Sequence, residues 1–167
     1  FIDCAALESI TLGNKGAVGQ YAFSGCSGAT SLTIAPTVTS IGDYAFNGCT
    51  GIANVVIEEN ADGQSSEITF GSNGDSPLFA DCPLVEAFIG RDMSYSSSSD
   101  AGYSPFYRKT TLNSVEISDA VTAVCDNEFY GCSNLREVNI GDCVETYGNY
   151  SFSGCSSLNN FVFGSTV

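Results

Sequence analysis

A short apolar phrase recurs along the whole chain. It has the form Leu-x-x-Leu-x-Leu, with other aliphatic or aromatic residues allowed at each apolar place. The copies are Leu7-Ile10-Leu12, Ala29-Leu32-Ile34, Ile52-Val55-Ile57, Leu84-Ala87-Ile89, Leu112-Val115-Ile117, Leu135-Val138-Ile140 and Leu158-Phe161-Phe163. The last two apolar positions of each copy flank an intervening residue, which is the period of a β-strand. The pattern therefore predicts seven strands, each with one face buried.

A phenylalanine precedes every copy of the phrase and sets the length of the repeat. The seven units begin near Phe1, Phe23, Phe46, Phe79, Phe106, Phe129 and Phe152. Six of the seven units carry a cysteine three residues after the phenylalanine, and the fifth unit has Lys109 there instead. A unit of about 23 residues cannot bury its own apolar side chains, whereas stacked units can. We therefore expect a solenoid of about seven coils, with each phenylalanine lying over the next.

Most units carry a second apolar pair after the strand, such as Val38 and Ile41, before the cycle restarts. We expect residues 1–167 to form a single array, with insertions at about 58–78 and 91–105 because the third and fourth units are longer than the others. The turn signal at Asp62-Gly63 lies between apolar stretches and predicts a hairpin in the first insertion. Both insertions are expected on one flank, where such segments often serve binding or cover the array.

The repeat resembles the leucine-rich repeats of the BspA-like family. The stretches that carry the resemblance are Ser40-Ile41-Gly42-Asp43-Tyr44-Ala45-Phe46-Asn47-Gly48-Cys49 and Gly148-Asn149-Tyr150-Ser151-Phe152-Ser153-Gly154-Cys155-Ser156-Ser157-Leu158. The resemblance implies a leucine-rich-repeat solenoid of the α/β horseshoe type, in practice mostly β, with a parallel sheet on its concave face and irregular or short helical segments behind. It also implies a bacterial cell-surface or secreted protein, and for some members adhesion to host matrix proteins.

The cysteines are expected to be buried thiols rather than a disulfide framework. Six of them recur about one coil apart, so their Cβ vectors run parallel and do not point at one another. A buried thiol packs as a small apolar group with a weak donor. Some bridging stays open, including a bond between Cys125 and Cys143, which lie off this ladder. No Cys-x-x-Cys pair occurs, which argues against a zinc site.

Residues between the apolar strand positions are expected to line the concave face. One column of them is partly apolar, at Val56, Phe88 and Val162, and grouped exposed apolar side chains can mark a protein-binding patch. The candidate binding residues are Val56, Phe88, Glu86, Glu116, Arg136 and Val162 on this face, with Tyr95 and Tyr103 from the second insertion.

Composition and charge exclude several function classes. The chain has no histidine, so it cannot build a Ser-His-Asp triad or a His-ligated metal site. Its formal net charge of -14 repels nucleic acid and anionic lipid. Paired carboxylates suffice for glycoside hydrolysis, yet nothing in the repeat singles out such a pair. Asp62-Gly63 and Asn73-Gly74-Asp75 could bind calcium, but turn chemistry explains both. We expect no enzyme activity, no cofactor and no bound metal.

The sequence thus predicts a non-catalytic surface or secreted module that binds a protein, either a host matrix component or another surface protein. The alternative is a structural spacer that displays another part of a larger surface protein. No apolar stretch is long enough to insert in a membrane. No signal peptide is visible, and the chain opens at Phe1, so we expect a trimmed or mature piece. The array ends lack polar caps, which predicts self-association through them.

Overall fold

The architecture was determined from a computed structural model of the chain. The structure describes residues 1–13, 16–64, 66–71, 77–95 and 104–164. Within these ranges there are strands and turns but no helix. In place of the irregular or short helical segments expected behind the first sheet, the structure has further strands.

The seven predicted phrase strands form one parallel sheet, here called the front sheet. It contains β1 (Ile10–Leu12), β3 (Ser31–Ile34), β5 (Asn54–Ile57), β7 (Glu86–Ile89), β9 (Ser114–Ile117), β11 (Glu137–Ile140) and β13 (Asn160–Val162), in that spatial order. Neighbouring strands pair without a register shift, so equivalent repeat positions lie side by side. The second and fourth residues of the four-residue strands are buried, whereas their first and third residues face outward. This alternation confirms the predicted strand pattern and the solenoid.

In the first six units the segment after the front strand forms a strand on the opposite side of the core, and these six are here called the back strands. A four-stranded parallel sheet contains β2 (Gly16–Val18), β4 (Val38–Ile41), β6 (Glu67–Phe70) and β8 (Asp92–Tyr95). A two-stranded parallel sheet contains β10 (Ala123–Val124) and β12 (Thr146–Tyr147). The core lies between the front and back sheets.

The expected hairpin at Asp62-Gly63 is wrong. Strand β5 pairs with β3 and β7 in the front sheet, whereas β6 pairs with β4 and β8 in the back sheet. The turn signal marks a real turn around residues 61–62, but the chain then crosses to the other sheet instead of returning alongside β5. Strands β6 and β8 lie within the two segments predicted as insertions. Both strands continue the regular back-strand pattern.

The phenylalanines that begin the units form one continuous stack. Successive ring centroids lie 5.2, 6.0, 5.8, 5.6, 5.4 and 5.3 Å apart from Phe1 to Phe152. Five of the six pairs are stacked with interplanar angles of 1° to 30°, and the rings from Phe46 to Phe129 are fully buried. Such contacts add to the area each ring buries, so the stack ties every coil to the next.

In six of the seven units the residue directly before the cysteine position is left-handed, and Asp81 of the fourth unit is the exception. Gly48 and Gly154 take the left-handed conformation with φ angles of 72° and 79°, which glycine adopts without steric cost. In the fifth unit Arg108 takes the same conformation, with φ of 54°. The fifth unit therefore keeps the backbone turn although it has lost the glycine.

The repeat cysteines hold the backbone of the preceding coil. The Cys49 thiol donates to the carbonyl of Phe23 at 3.1 Å, and the Cys132 thiol donates to the carbonyl of Phe106 at 3.2 Å. Cys26 and Cys155 make the equivalent bond to the units before them. All eight cysteines, including Cys125 and Cys143, are free thiols in the structure.

Lys109 takes over this role in the unit that lacks the cysteine. Its ammonium group donates to the carbonyls of Phe79 at 2.6 Å and Ala80 at 3.0 Å. Only 6% of the residue is exposed, and this burial lowers the pKa of the amine because the charged form loses solvation. The departure from the repeat pattern thus preserves the contact between coils.

Candidate binding surface on the front sheet

Two columns of side chains face outward from the front sheet. The first column follows the third strand position and the second follows the first strand position. In spatial order the first contains Thr11, Thr33, Val56, Phe88, Glu116, Asn139 and Val162, and the second contains Ser31, Asn54, Glu86, Ser114, Glu137 and Asn160. Most members are small and polar. The middle of the face differs, because Val56 and Phe88 adjoin there and the carboxylates of Glu86 and Glu116 lie beside Phe88.

A depression of about 320 Å³ occupies this middle region. It runs across β5, β7, β9 and β11, and four of the predicted residues line it: Val56, Glu86, Phe88 and Glu116. Glu137 and Asn139 complete its far side, where the Asn139 amide donates to the Glu137 carboxylate at 3.2 Å. Phe88 and Val56 are half-buried, so each shows part of an apolar side chain to solvent.

A second depression, of about 460 Å³, adjoins the first near the carboxyl ends of β9 and β11. Phe88, Glu116 and Asn139 line both, so the two form one continuous surface, which we call the front groove. Glu59 and Gly63 from the loop between β5 and β6 border it, with Asp119 opposite. The strand pattern could not have identified Glu59 and Gly63, although the length of this loop marked the region as unusual.

The other predicted residues do not join the front groove. Val162 lies in the first column but three strands from Phe88, where it is 45% exposed. Arg136 is exposed directly before β11, and its carbonyl accepts hydrogen bonds from the amides of Asn159 and Asn160. Tyr103 lies outside the described residues.

The structure places Tyr95 on the back of the molecule. It ends β8, and its hydroxyl donates to the carbonyl of Asp126 at 2.8 Å. Burial, and then the negative charge of Glu128, raise the pKa of this hydroxyl well above its ordinary value. Tyr95 therefore helps to hold two back strands together and contributes nothing to the front groove.

The front groove is electrostatically negative because its carboxylates have no basic partners. Glu86, Glu116 and Glu137 line the first depression, and Glu59 and Asp119 border the second. Within the described ranges none of these five carboxylates forms an ion pair with a lysine or arginine. A charged partner approaching this face would meet an uncompensated negative field.

Three of the chain's bases contact other parts of the molecule. Arg91 is buried between β7 and β8, where its guanidinium donates to the carbonyls of Ala35, Pro36 and Val38 at 3.2, 3.1 and 2.8 Å. Burial lowers its pKa, and the negative charge of Glu58 opposes that change. Lys109 holds the preceding coil, and the Arg108 guanidinium lies 5.3 Å from the ring centre of Tyr107.

A polar seam joins the two back sheets on the opposite side of the molecule. Strands β8 and β10 do not pair through their backbones. Instead the Asp92 carboxylate accepts hydrogen bonds from the amides of Thr122 and Ala123, at 2.8 and 3.1 Å, and the Cys125 thiol donates to the carbonyl of Met93. Glu128 lies fully buried beside this seam and accepts a hydrogen bond from the Cys125 amide at 2.6 Å. Side chains thus replace the missing strand pairing.

The pKa of Glu128 is raised to about 8. Burial is the main cause, because it penalises the charged carboxylate, and the nearby negative charge of Asp92 adds to it. The hydrogen bond from the Cys125 amide works in the opposite direction. This side chain occupies a place that is Ala22 or Ala45 in other units.

The described ranges contain neither a metal-binding cluster nor a membrane-spanning helix. No group of three or more acidic or thiol side chains there is arranged to hold a metal ion. Nor does that part of the chain contain a helix suited to crossing a bilayer.

Taken together, the in-register front sheet, the phenylalanine stack and the strands behind it define a leucine-rich-repeat solenoid. A family model described as the BspA type leucine rich repeat region matches residues 1–73 and 75–167 in six copies. The chain therefore belongs to the BspA-type leucine-rich repeat family.

A solved structure of low sequence identity shares this fold. A leucine-rich repeat protein from Bacteroides ovatus is 24% identical over 95% of this chain, with a TM-score of 0.54. The match spans only 43% of the Bacteroides protein's own length. A leucine-rich repeat protein from T. pallidum is 23% identical over 86% of this chain and 72% of its own, with a TM-score of 0.49. A search of curated proteins finds no match.

Proposed function

We propose that this chain is a non-catalytic binding module of a bacterial surface or secreted protein, and that it holds a protein partner in the front groove. The observation that carries the proposal is the position of Phe88. Its half-buried ring lies at the junction of two adjoining depressions, between Val56 and Glu116 in the same column. The next residues of that column on either side, Thr33, Glu116 and Asn139, are polar, so the apolar surface is confined to Val56 and Phe88.

The energetics of the sheet favour this use. Affinity depends on a few well-packed anchor side chains and on how little must be ordered when the complex forms. The four strands that line the first depression are fixed by parallel pairing on both sides and by fully buried residues beneath, such as Ile57 and Ile89. A partner would therefore meet a surface that is already in its bound shape.

The cellular location is proposed from the family resemblance. BspA-like repeats are associated with bacterial surface and secreted proteins, and the partner would then be a host matrix component or another surface protein. The open form of the front groove also supports binding over catalysis, because a broad surface across four strands does not enclose a small substrate.

Panning of a random-peptide display library against the intact chain tests the proposal without assuming a ligand. We expect the recovered peptides to bind the wild-type chain and to lose at least tenfold in affinity for Phe88→Ala, because truncating a central aromatic anchor costs about 2 kcal/mol and tenfold corresponds to about 1.4 kcal/mol. Tyr147→Ala removes an exposed aromatic ring from the back and serves as the matched control. Peptides that bind both variants like the wild-type chain would contradict the proposal and favour a spacer without a ligand.

A further inference from the structure

We infer that the partner segment that fills the front groove is cationic, with lysine or arginine side chains on both sides of one apolar anchor. The inference rests on the proposed function and adds the chemistry of the partner. Three observations support it. Carboxylates lie beside Phe88, the described bases do not line the front groove, and the described ranges hold no cluster of side chains that could bind a metal ion.

Carboxylates flank Phe88 in two directions. Along its own strand, Glu86 lies two residues before it and faces the same way, at a separation of about 6.6 Å. Across the sheet, Glu116 lies opposite it in the next strand, about 4.8 Å away. Glu137 lies one strand further, in the column of Glu86. An apolar side chain placed on Phe88 would therefore have acids beside it both along and across the strands.

Among the described residues, no lysine or arginine side chain lines the front groove as a counter-charge. Arg91 and Lys109 are buried and donate to backbone carbonyls. Arg136 is exposed directly before β11 and does not line the front groove. The carboxylates face solvent in the free protein, and a partner with basic side chains would neutralise their charge. Because like charges repel, an acidic segment is disfavoured on the same grounds.

A cationic peptide fits this surface better than a metal ion does. Within the described ranges, no three carboxylate or thiol groups converge as cation ligands, and the apolar ring at the centre would be left uncovered by an ion. An extended segment instead places alternate side chains on one face with a spacing close to that of the strands beneath. Its apolar side chain can cover Phe88 while its neighbours on the same face reach Glu86 and Glu116.

Three synthetic peptides of equal length test the inference. Each has a central leucine, and the residues two positions before and two positions after it are lysine in the first peptide, serine in the second and glutamate in the third. Binding to the intact chain is measured by fluorescence anisotropy at low and high salt. We expect the lysine peptide to bind best and to weaken as salt rises, because screening reduces attraction between exposed charges.

Two double variants separate a local site from the general acidity of the chain. Glu86→Gln with Glu116→Gln removes two charges from the front groove, and we expect the lysine peptide to lose about three- to tenfold in affinity. Glu67→Gln with Glu145→Gln removes the same charge from exposed positions on the back, and binding should change less than twofold. Equal losses in both double variants would overturn the inference, as would equal binding of the three peptides.

The outcome is distinct from that of the proposed function. If panning recovers peptides that depend on Phe88 but are neutral or acidic, the front groove binds a protein and the inference of a cationic segment is wrong. If no recovered peptide depends on Phe88, the proposed function fails first, and the inference falls with it.

Discussion

At the scale of single residues, this fold depends on donors that reach from one coil to the backbone of the coil before it. Cys49 and Cys132 show the usual form, a buried thiol that donates to a phenylalanine carbonyl. Lys109 shows that the contact matters more than the residue type, because a much longer side chain reaches the same carbonyl of Phe79. Buried carbonyls without a donor are costly, which explains why the position tolerates a lysine but keeps a donor.

Substitution of Lys109 tests this account. Lys109→Met keeps an unbranched stem but leaves the carbonyls of Phe79 and Ala80 without this donor, so we expect a loss of about 1–3 kcal/mol in the free energy of unfolding. Lys109→Cys restores a donor, because its thiol can donate to the carbonyl of Phe79 as the Cys132 thiol does to that of Phe106. For each buried atom removed, we therefore expect it to lose less unfolding free energy than Lys109→Met. Urea denaturation measures both. A Met variant as stable as the wild-type chain would show that these hydrogen bonds contribute nothing.

Residue types alone allowed part of the candidate site to be predicted. The alternation of apolar and polar positions identified Val56, Phe88, Glu86 and Glu116 as outward residues, because strand periodicity fixes which face a side chain takes. It failed for Tyr95, since only Gly90 and Arg91 separate β7 from β8 and no turn signal marked the second strand. Strand periodicity could not predict that Glu59 and Gly63 border the front groove, because their position depends on the path of a loop.

At the scale of elements, the back sheet is interrupted between β8 and β10, and polar side chains join its two parts. Asp92 accepts from the amides of β10 and of the residue before it, while Glu128 accepts from the Cys125 amide. The sequence indicated the back strands as apolar pairs but not the break. Strand pairing depends on how closely two segments approach, and the residue pattern does not encode that distance.

The seam predicts a dependence of stability on pH. The Glu128 carboxyl has a pKa of about 8 when folded, against an ordinary value of 4.5. Between these values the folded chain binds the proton and the unfolded chain does not, so the contribution of this group falls as pH rises from about 4.5 to about 8 and stays low above that. Glu128→Gln keeps an acceptor for the Cys125 amide and removes the titration.

Urea denaturation across this pH range measures the effect. We expect Glu128→Gln to gain stability over the wild-type chain as pH rises, by up to a few kcal/mol. Glu67→Gln, an exposed change on a neighbouring back strand, is the control and should follow the wild-type curve. Parallel curves for Glu128→Gln and the wild-type chain would mean that Glu128 is ionised without penalty in the folded state.

At the scale of the whole molecule, repetition made the fold predictable and the function hard to predict. Seven equivalent phrases with one phenylalanine each leave a stacked solenoid as the arrangement that buries them all. The same repetition makes most of the front face alike, so function depends on where the repeat is broken. Phe88, the surrounding carboxylates and the long loop before β6 break it at one place.

Chemical-shift mapping by NMR of the intact chain with the lysine-flanked peptide tests the central claim most directly. We expect the largest amide shift changes in β5, β7, β9 and β11 and in the loop that carries Glu59 and Gly63, with the back strands unchanged. Changes centred on β4, β6 or β8, or spread evenly over the acidic surface, would contradict the claim that the front groove is the binding site.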